Sequence, residues 1–117
     1  MKELIEKSLL NKIERLEAFE DQVNIKMENI SVSLTSNYQP YKYFSIYFEA
    51  HPISGTKILE TIVFECVLYN NEGSIFLKET RSIHKDNFFG FEVIEFDFFL
   101  DDGLDQIGKI RLYPKKR

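Results

Sequence analysis

Few side chains in this sequence could serve as nucleophiles, soft metal ligands or general acids and bases. They are one cysteine, Cys66, two histidines, His51 and His84, and carboxylates gathered late in the chain. A Cys-His pair or a histidine metal site requires these groups to converge. Their neighbours argue against it. Cys66 alternates in phase with Ile62, Phe64 and Leu68, the pattern of a buried, inert thiol, and both histidines sit at strand ends beside turn residues. Asp97, Asp101, Asp102 and Asp105 lie around Gly103 as the oxygen ligands of a calcium loop would. The spacing is not that of an EF-hand, and a sandwich-type calcium site draws on a second loop, for which Asn70, Asn71 and Glu72 are the candidates. Asp101, Asp102 and Asp105 are therefore a weak calcium candidate, and an exposed acidic turn is the commoner explanation. Acid-base work by Glu92 with Glu95, or by Asp97 with Asp101, requires a cleft that shifts their pKa values. The sequence has no glycine-rich phosphate loop, serine nucleophile motif or HExxH pair. The expectation is a protein that is not an enzyme and uses neither metal nor cofactor.

Aromatic residues are the more informative group. The stretch Phe88 to Leu100, FFGFEVIEFDFFL, holds six of the eleven phenylalanines, and Tyr38, Tyr41, Tyr43 and Tyr47 fall within ten residues of one another. Alternation sorts both groups. Ile94, Phe96, Phe98 and Leu100 share one strand face and should be core, as should Phe44, Ile46 and Phe48. Phe91, Val93, Glu95, Asp97 and Phe99 share the opposite face of their strand, and Tyr43 and Tyr47 lie opposite the core face of theirs. Phe88, Phe89, Phe91 and Phe99 are left needing cover by a helix, another chain or a partner. Amphipathic tyrosine rings suit a recognition surface. Packing of the N-terminal helix over them would explain them equally well.

The elements that must position these residues follow from periodicity. Ile5, Leu9, Ile13, Leu16, Phe19 and Val23 recur at intervals of three and four, which predicts an amphipathic helix over about residues 2 to 20. Val23, Ile25 and Met27 then alternate, as do Ile30, Val32 and Leu34 in the opposite phase, so a β-bulge or a short turn is expected near Glu28-Asn29. Further strands are expected over residues 43–50, 58–69, 75–83, 91–100 and 107–113, with Asn70-Asn71-Glu72-Gly73 as a hairpin turn and Pro114 as a stop. One helix followed by six to seven strands predicts a mainly β, single-domain antiparallel sandwich of immunoglobulin-like arrangement. No internal repeat or βαβ alternation is visible.

A length of 117 residues fits one domain, and 44% hydrophobic residues suffice for a core. The net charge of −4 argues against general affinity for nucleic acid or anionic membrane, and the basic end Lys115-Lys116-Arg117 reads as a solvated terminus. A single cysteine suits a reducing compartment, and the N-terminal residues lack the uninterrupted apolar run of a signal peptide, so a cytoplasmic location is expected.

From Lys42 to Tyr113 the order of features resembles small bacterial immunoglobulin-like domains of the FxLYD kind. The likeness rests on Phe64, Val67, Leu68 and Tyr69, the Asn70-Asn71-Glu72-Gly73 turn, Gly90-Phe91-Glu92-Val93, and a closing Ile110-Arg111-Leu112-Tyr113. The resemblance implies an accessory or interaction module and transfers no site residues. The functional expectation is non-enzymatic binding of an unidentified protein partner through Tyr38, Tyr41, Tyr43 and Tyr47 together with Phe88, Phe89, Phe91 and Phe99. Two alternatives are a small acidic immunity-type inhibitor of a basic toxin, and a small-ligand or lipid-binding sandwich with a cavity lined by those four phenylalanines. Self-association through the N-terminal helix is a further expectation.

Overall fold

The computed structural model describes residues 1–34 and 40–117. In chain order it has α1 (Lys2–Asn11), β1 (Ile13–Arg15), α2 (Glu17–Gln22), β2 (Ile25–Leu34), β3 (Tyr43–Pro52), β4 (Ile62–Asn70), β5 (Ile75–Ile83), β6 (Glu92–Phe99) and β7 (Ile107–Lys116). Short 3-10 turns occupy Lys85–Asn87 and Leu104–Gln106. The strands form two sheets, ordered β1-β7-β4-β5 and β2-β3-β6, and every pairing is antiparallel except β1 with β7. The expected mainly β sandwich is what the chain forms.

Its pairing pattern is the immunoglobulin one with a different starting point. In that fold strand E lies between B and D, and strand F between C and G. Here β3 lies between β2 and β6, and β4 between β7 and β5. Taking β2 through β7 as D, E, F, G, B and C reproduces each of those neighbours. β1 is an addition beside β7.

Alternation builds the core. Phe44, Ile46, Phe48 and Ala50 of β3 face Phe64, Cys66 and Leu68 of β4, with Ile94, Phe96 and Phe98 of β6 beside them, and all are buried. The rings of Phe48 and Phe64 meet edge to face at 5.1 Å, and Phe44 stacks on Phe98 at 5.0 Å. Each such aromatic contributes about 1.5–3 kcal/mol by leaving water. The phase change in β2 is a β-bulge between Glu28 and Ser31, with Asn29 at φ 55°, so one bulged strand replaces the two that a turn would have given. The β4–β5 hairpin turns as its residues predict: Gly73 has φ 87°, and the Asn70 side-chain oxygen accepts from the backbone N–H groups of Glu72 and Ser74 at 3.0 Å.

Two expectations need correction. The single helix over about residues 2 to 20 is broken, because Ile13–Arg15 pair with Ile110, Arg111 and Leu112 of β7. The Lys12 ammonium donates to the Ile107 carbonyl at 2.8 Å, which ties the break to the sheet. A three-and-four spacing fits two short helices on different axes as well as one long helix. Nor does Pro114 stop β7, which runs to Lys116. Pro114 is paired with Phe64 of β4, and β1 ends opposite Leu112, so its missing N–H falls on an edge with no ladder to break.

The two helices close one long side of the sandwich. α1 packs on β2 through Leu9 and Ile5, and the Glu6 carboxylate accepts from the Leu34 N–H at 2.8 Å. α2 lies between β2 and β7, where Phe19 meets Tyr113 edge to face at 5.4 Å. Neither helix covers the outer face of the β2-β3-β6 sheet.

Candidate functional site

That uncovered face is built by the register of β3 with β6. Tyr43 lies opposite Phe99, Ser45 opposite Asp97, Tyr47 opposite Glu95 and Glu49 opposite Val93, all pointing away from the core. Strand β2 adds Ser33, Ser31, Glu28 and Lys26 beside Ser45, Tyr47, Glu49 and His51. Tyr43 and Phe99 pack ring against ring, tilted by 30° with centres 4.5 Å apart, although they are 51% and 45% exposed. At the other end His51 stacks on Phe91 at 5.4 Å with the rings only 9° from parallel. Val93, also exposed, lies between the two aromatic ends. Exposed apolar groups clustered at the two ends of a sheet face, here with Glu95 and Asp97 between them, mark an interaction surface more often than scattered surface hydrophobics do.

The polar groups of the face fall into two sets. In the upper set His51 contacts the Glu49 carboxylate at 2.8 Å, and Lys26 lies 3.6 Å from Glu28. The hydrogen bond from His51, aided by Asn29, holds the Glu49 carboxyl below its ordinary range. In the lower set the Ser45 hydroxyl donates to Asp97 at 2.5 Å and draws the Asp97 carboxyl down. Glu95 is raised, first by its hydrogen bond to Asp97 and then by desolvation and the Asp97 charge. The pair therefore titrates as a unit, with Asp97 the more acidic member. The pairings considered from sequence, Glu92 with Glu95 and Asp97 with Asp101, are set apart: Glu92 has the core phase of β6, and Asp101 lies beyond its end.

The sequence-derived site residues do not all come together. Tyr43, Tyr47, Phe91 and Phe99 share the open face. Tyr41 is elsewhere, lining a cleft of about 660 Å³ between α1 and the Gly103 turn with Leu4, Ile5, Leu9 and Leu104. Phe88 is buried in the core, because the 3-10 turn at Lys85–Asn87 feeds it inward in phase with Ile94. Phe89 is 88% exposed at the neighbouring turn, off the sheet. Tyr38 lies outside the described residues. The four phenylalanines therefore enclose no cavity. Phe91 and Phe99 stand eight positions apart, roughly 26 Å along an extended strand, and Phe88 points the other way. Tyr41 faces the helix across that cleft, whereas Tyr43 and Tyr47 lie on the face the helix leaves open.

The remaining chemical candidates have structural roles. Cys66 is wholly buried, and burial pushes its thiol far above the ordinary range. The His84 ring accepts from the Asp86 N–H at 3.2 Å and caps a turn. Asn71, from the second loop considered for calcium, does reach the first, but its side-chain amide donates to the Asp105 carbonyl at 3.1 Å. Among the described residues no three His, Cys, Asp or Glu side chains gather as metal ligands would, including Asp101, Asp102 and Asp105.

Two buried carboxylates escaped the sequence reading. Glu20 accepts from Arg15 at 2.9 and 2.5 Å and from the Met27 N–H at 2.9 Å. Glu65 is paired with Lys115, accepts from the Tyr113 hydroxyl at 2.7 Å and lies 3.6 Å from Lys78. The phase of Glu65 on a central strand was visible; its cationic partners on β5 and β7 depend on strand order, which the sequence does not state.

No helix among the described residues is long and apolar enough to cross a membrane. No family model matches the chain, and no curated protein does. The FxLYD resemblance is thus unsupported beyond the level of a small β domain. Among solved structures the chain is similar to a DUF1425 family member from Shewanella sp. pv-4, at 10% identity over 75% of this chain and 78% of that one, with a TM-score of 0.40.

Proposed function

We propose that this protein is a non-enzymatic binding module that docks a partner protein on the outer face of its β2-β3-β6 sheet. The observation that carries the reading is the pairing of exposed aromatics across β3 and β6, Tyr43 with Phe99 and His51 with Phe91, on a face neither helix covers. Rigid strands hold these rings in place, so little side-chain entropy is lost when a partner covers them. Tyrosine and phenylalanine held this way are the anchors that dominate protein interfaces. An immunity-type inhibitor of a basic toxin is a narrower form of the same reading, favoured by Glu95 and Asp97 at the centre of the face. The test is affinity purification at native levels, with retained proteins identified by mass spectrometry. A partner held by the wild type and lost with Tyr43→Ala/Phe99→Ala supports the proposal, whereas equal retention by both would place binding elsewhere.

A further inference from the structure

The charges on this face differ in whether the chain itself answers them. The Lys26 ammonium lies 3.6 Å from Glu28, and Glu49 is hydrogen-bonded to the His51 ring at 2.8 Å. Glu95 and Asp97 are bonded instead to each other and to Ser45 and Tyr47; among the described residues no lysine or arginine forms an ion pair with either, although the Arg81 charge acts on both from the sheet edge. The two carboxylates lie between the Tyr43–Phe99 pair on one side and Val93 and Phe91 on the other. The opposite outer face of the molecule carries the reverse sign, with Lys78, Lys109, Arg111 and Lys115 around Tyr69 and Glu65. A basic partner is thereby attracted to one face and repelled from the other.

The chain shows what kind of cation suits β6. Its own Arg81 reaches around the sheet edge, lies over the Phe96 ring at 5.4 Å, and donates to the Glu95 carbonyl at 3.0 Å. A guanidinium can stack on an aromatic ring and bond a carboxylate in one pose, whereas an ammonium acts as a point charge. Arg81 combines a ring with a backbone carbonyl, and the outer face sets exposed aromatic rings on the same strands as two carboxylates. Resting on the binding reading above, we infer that the partner surface presents arginine, one guanidinium seated on Glu95 and Asp97 and its neighbours stacked on the Tyr43–Phe99 and Phe91 rings.

The probe is an arginine-rich peptide of about ten residues, the length of one strand, compared with the same peptide carrying neutral citrulline at each arginine. Amide NMR shifts of the whole protein report where it binds. The arginine peptide should perturb Tyr43, Ser45, Tyr47, Val93, Glu95, Asp97 and Phe99. It should bind at least about tenfold more tightly than the citrulline peptide, and lose about tenfold with Glu95→Gln/Asp97→Asn. Equal affinity for the two peptides, or shifts confined to other acidic residues such as Glu60, Glu72 and Asp101, would overturn the inference. Sedimentation with rising concentration tests a second copy of the chain as occupant, and self-association abolished by Glu95→Gln/Asp97→Asn would also overturn it. If a purified partner is lost with Tyr43→Ala/Phe99→Ala but is indifferent to salt and to Glu95→Gln/Asp97→Asn, the binding face stands and the arginine assignment fails. Indifference to both variants rejects both.

Discussion

At the scale of single residues, the buried carboxylates make the sharpest demands. Glu20 has almost no contact with water and holds both Arg15 and the Met27 backbone. Glu20→Ala strands the Met27 N–H and leaves the Arg15 guanidinium its bond to the Met27 carbonyl, and should lower unfolding free energy by about 2–3 kcal/mol in urea titrations; a loss below about 0.5 kcal/mol would show that water replaces it. Glu65 and Tyr113 give a pH signature. Burial pushes the Glu65 carboxyl up, but hydrogen bonds from Lys115 and Tyr113 and the charges of Lys115 and Lys78 outweigh it, so it ends below its ordinary 4.5. Its contribution is present above pH 4.5 and disappears as pH falls through the lower folded value. Tyr113 is pushed up from 10.0 to about 12, first by burial and then by Glu65. That contribution is complete below pH 10.0 and is lost as pH rises toward about 12. Chemical unfolding followed across pH should show stability declining at both ends, and Glu65→Gln should reduce both slopes. Cys66 should react with a thiol probe only under unfolding conditions, given its burial and raised pKa.

At the scale of elements, alternation decides what a substitution costs. Phe98 and Phe99 are chain neighbours on opposite faces of β6, one stacked on Phe44 in the core and the other tilted against exposed Tyr43. Phe98→Ala should cost about 3–5 kcal/mol, and Phe99→Ala less than about 1 kcal/mol, both read from denaturant midpoints. Comparable losses would mean the open face is needed for folding. The β2 bulge is equally specific. Asn29→Gly should be nearly neutral because φ is 55°, while Asn29→Val should cost about 1–2 kcal/mol in the same assay. These features were legible in the sequence because strand phase is a local property: the opposed phases of Met27 and Ile30 announced a bulge or a turn, and Phe96 and Phe98 announced the core. The break at Ile13 was not legible. It depends on β7 offering a free edge nearly a hundred residues away, and the spacing of Ile13, Leu16 and Phe19 satisfies either geometry. Tyr41 was hidden for a similar reason, since grouping tyrosines by nearness in sequence says nothing about which of them lines the cleft beside α1.

For the whole molecule, the two outer faces differ in both charge and cover. One carries Lys78, Lys109, Arg111 and Lys115 in ion pairs or over the Tyr69 ring, with α2 alongside. The other is open, aromatic and acidic at its centre. The net charge of −4 does not reveal this division, because composition carries no information on which strand ends beside which. Strand order produces it by setting β3 beside β6 and β4 beside β7. The most direct measurement of the central claim is the affinity of the purified partner for the wild type and for Tyr43→Ala/Phe99→Ala, taken by calorimetry where both are folded. A binding anchor of this kind predicts a loss of about 30-fold or more; affinities equal within error would contradict the assignment of this face as the binding surface.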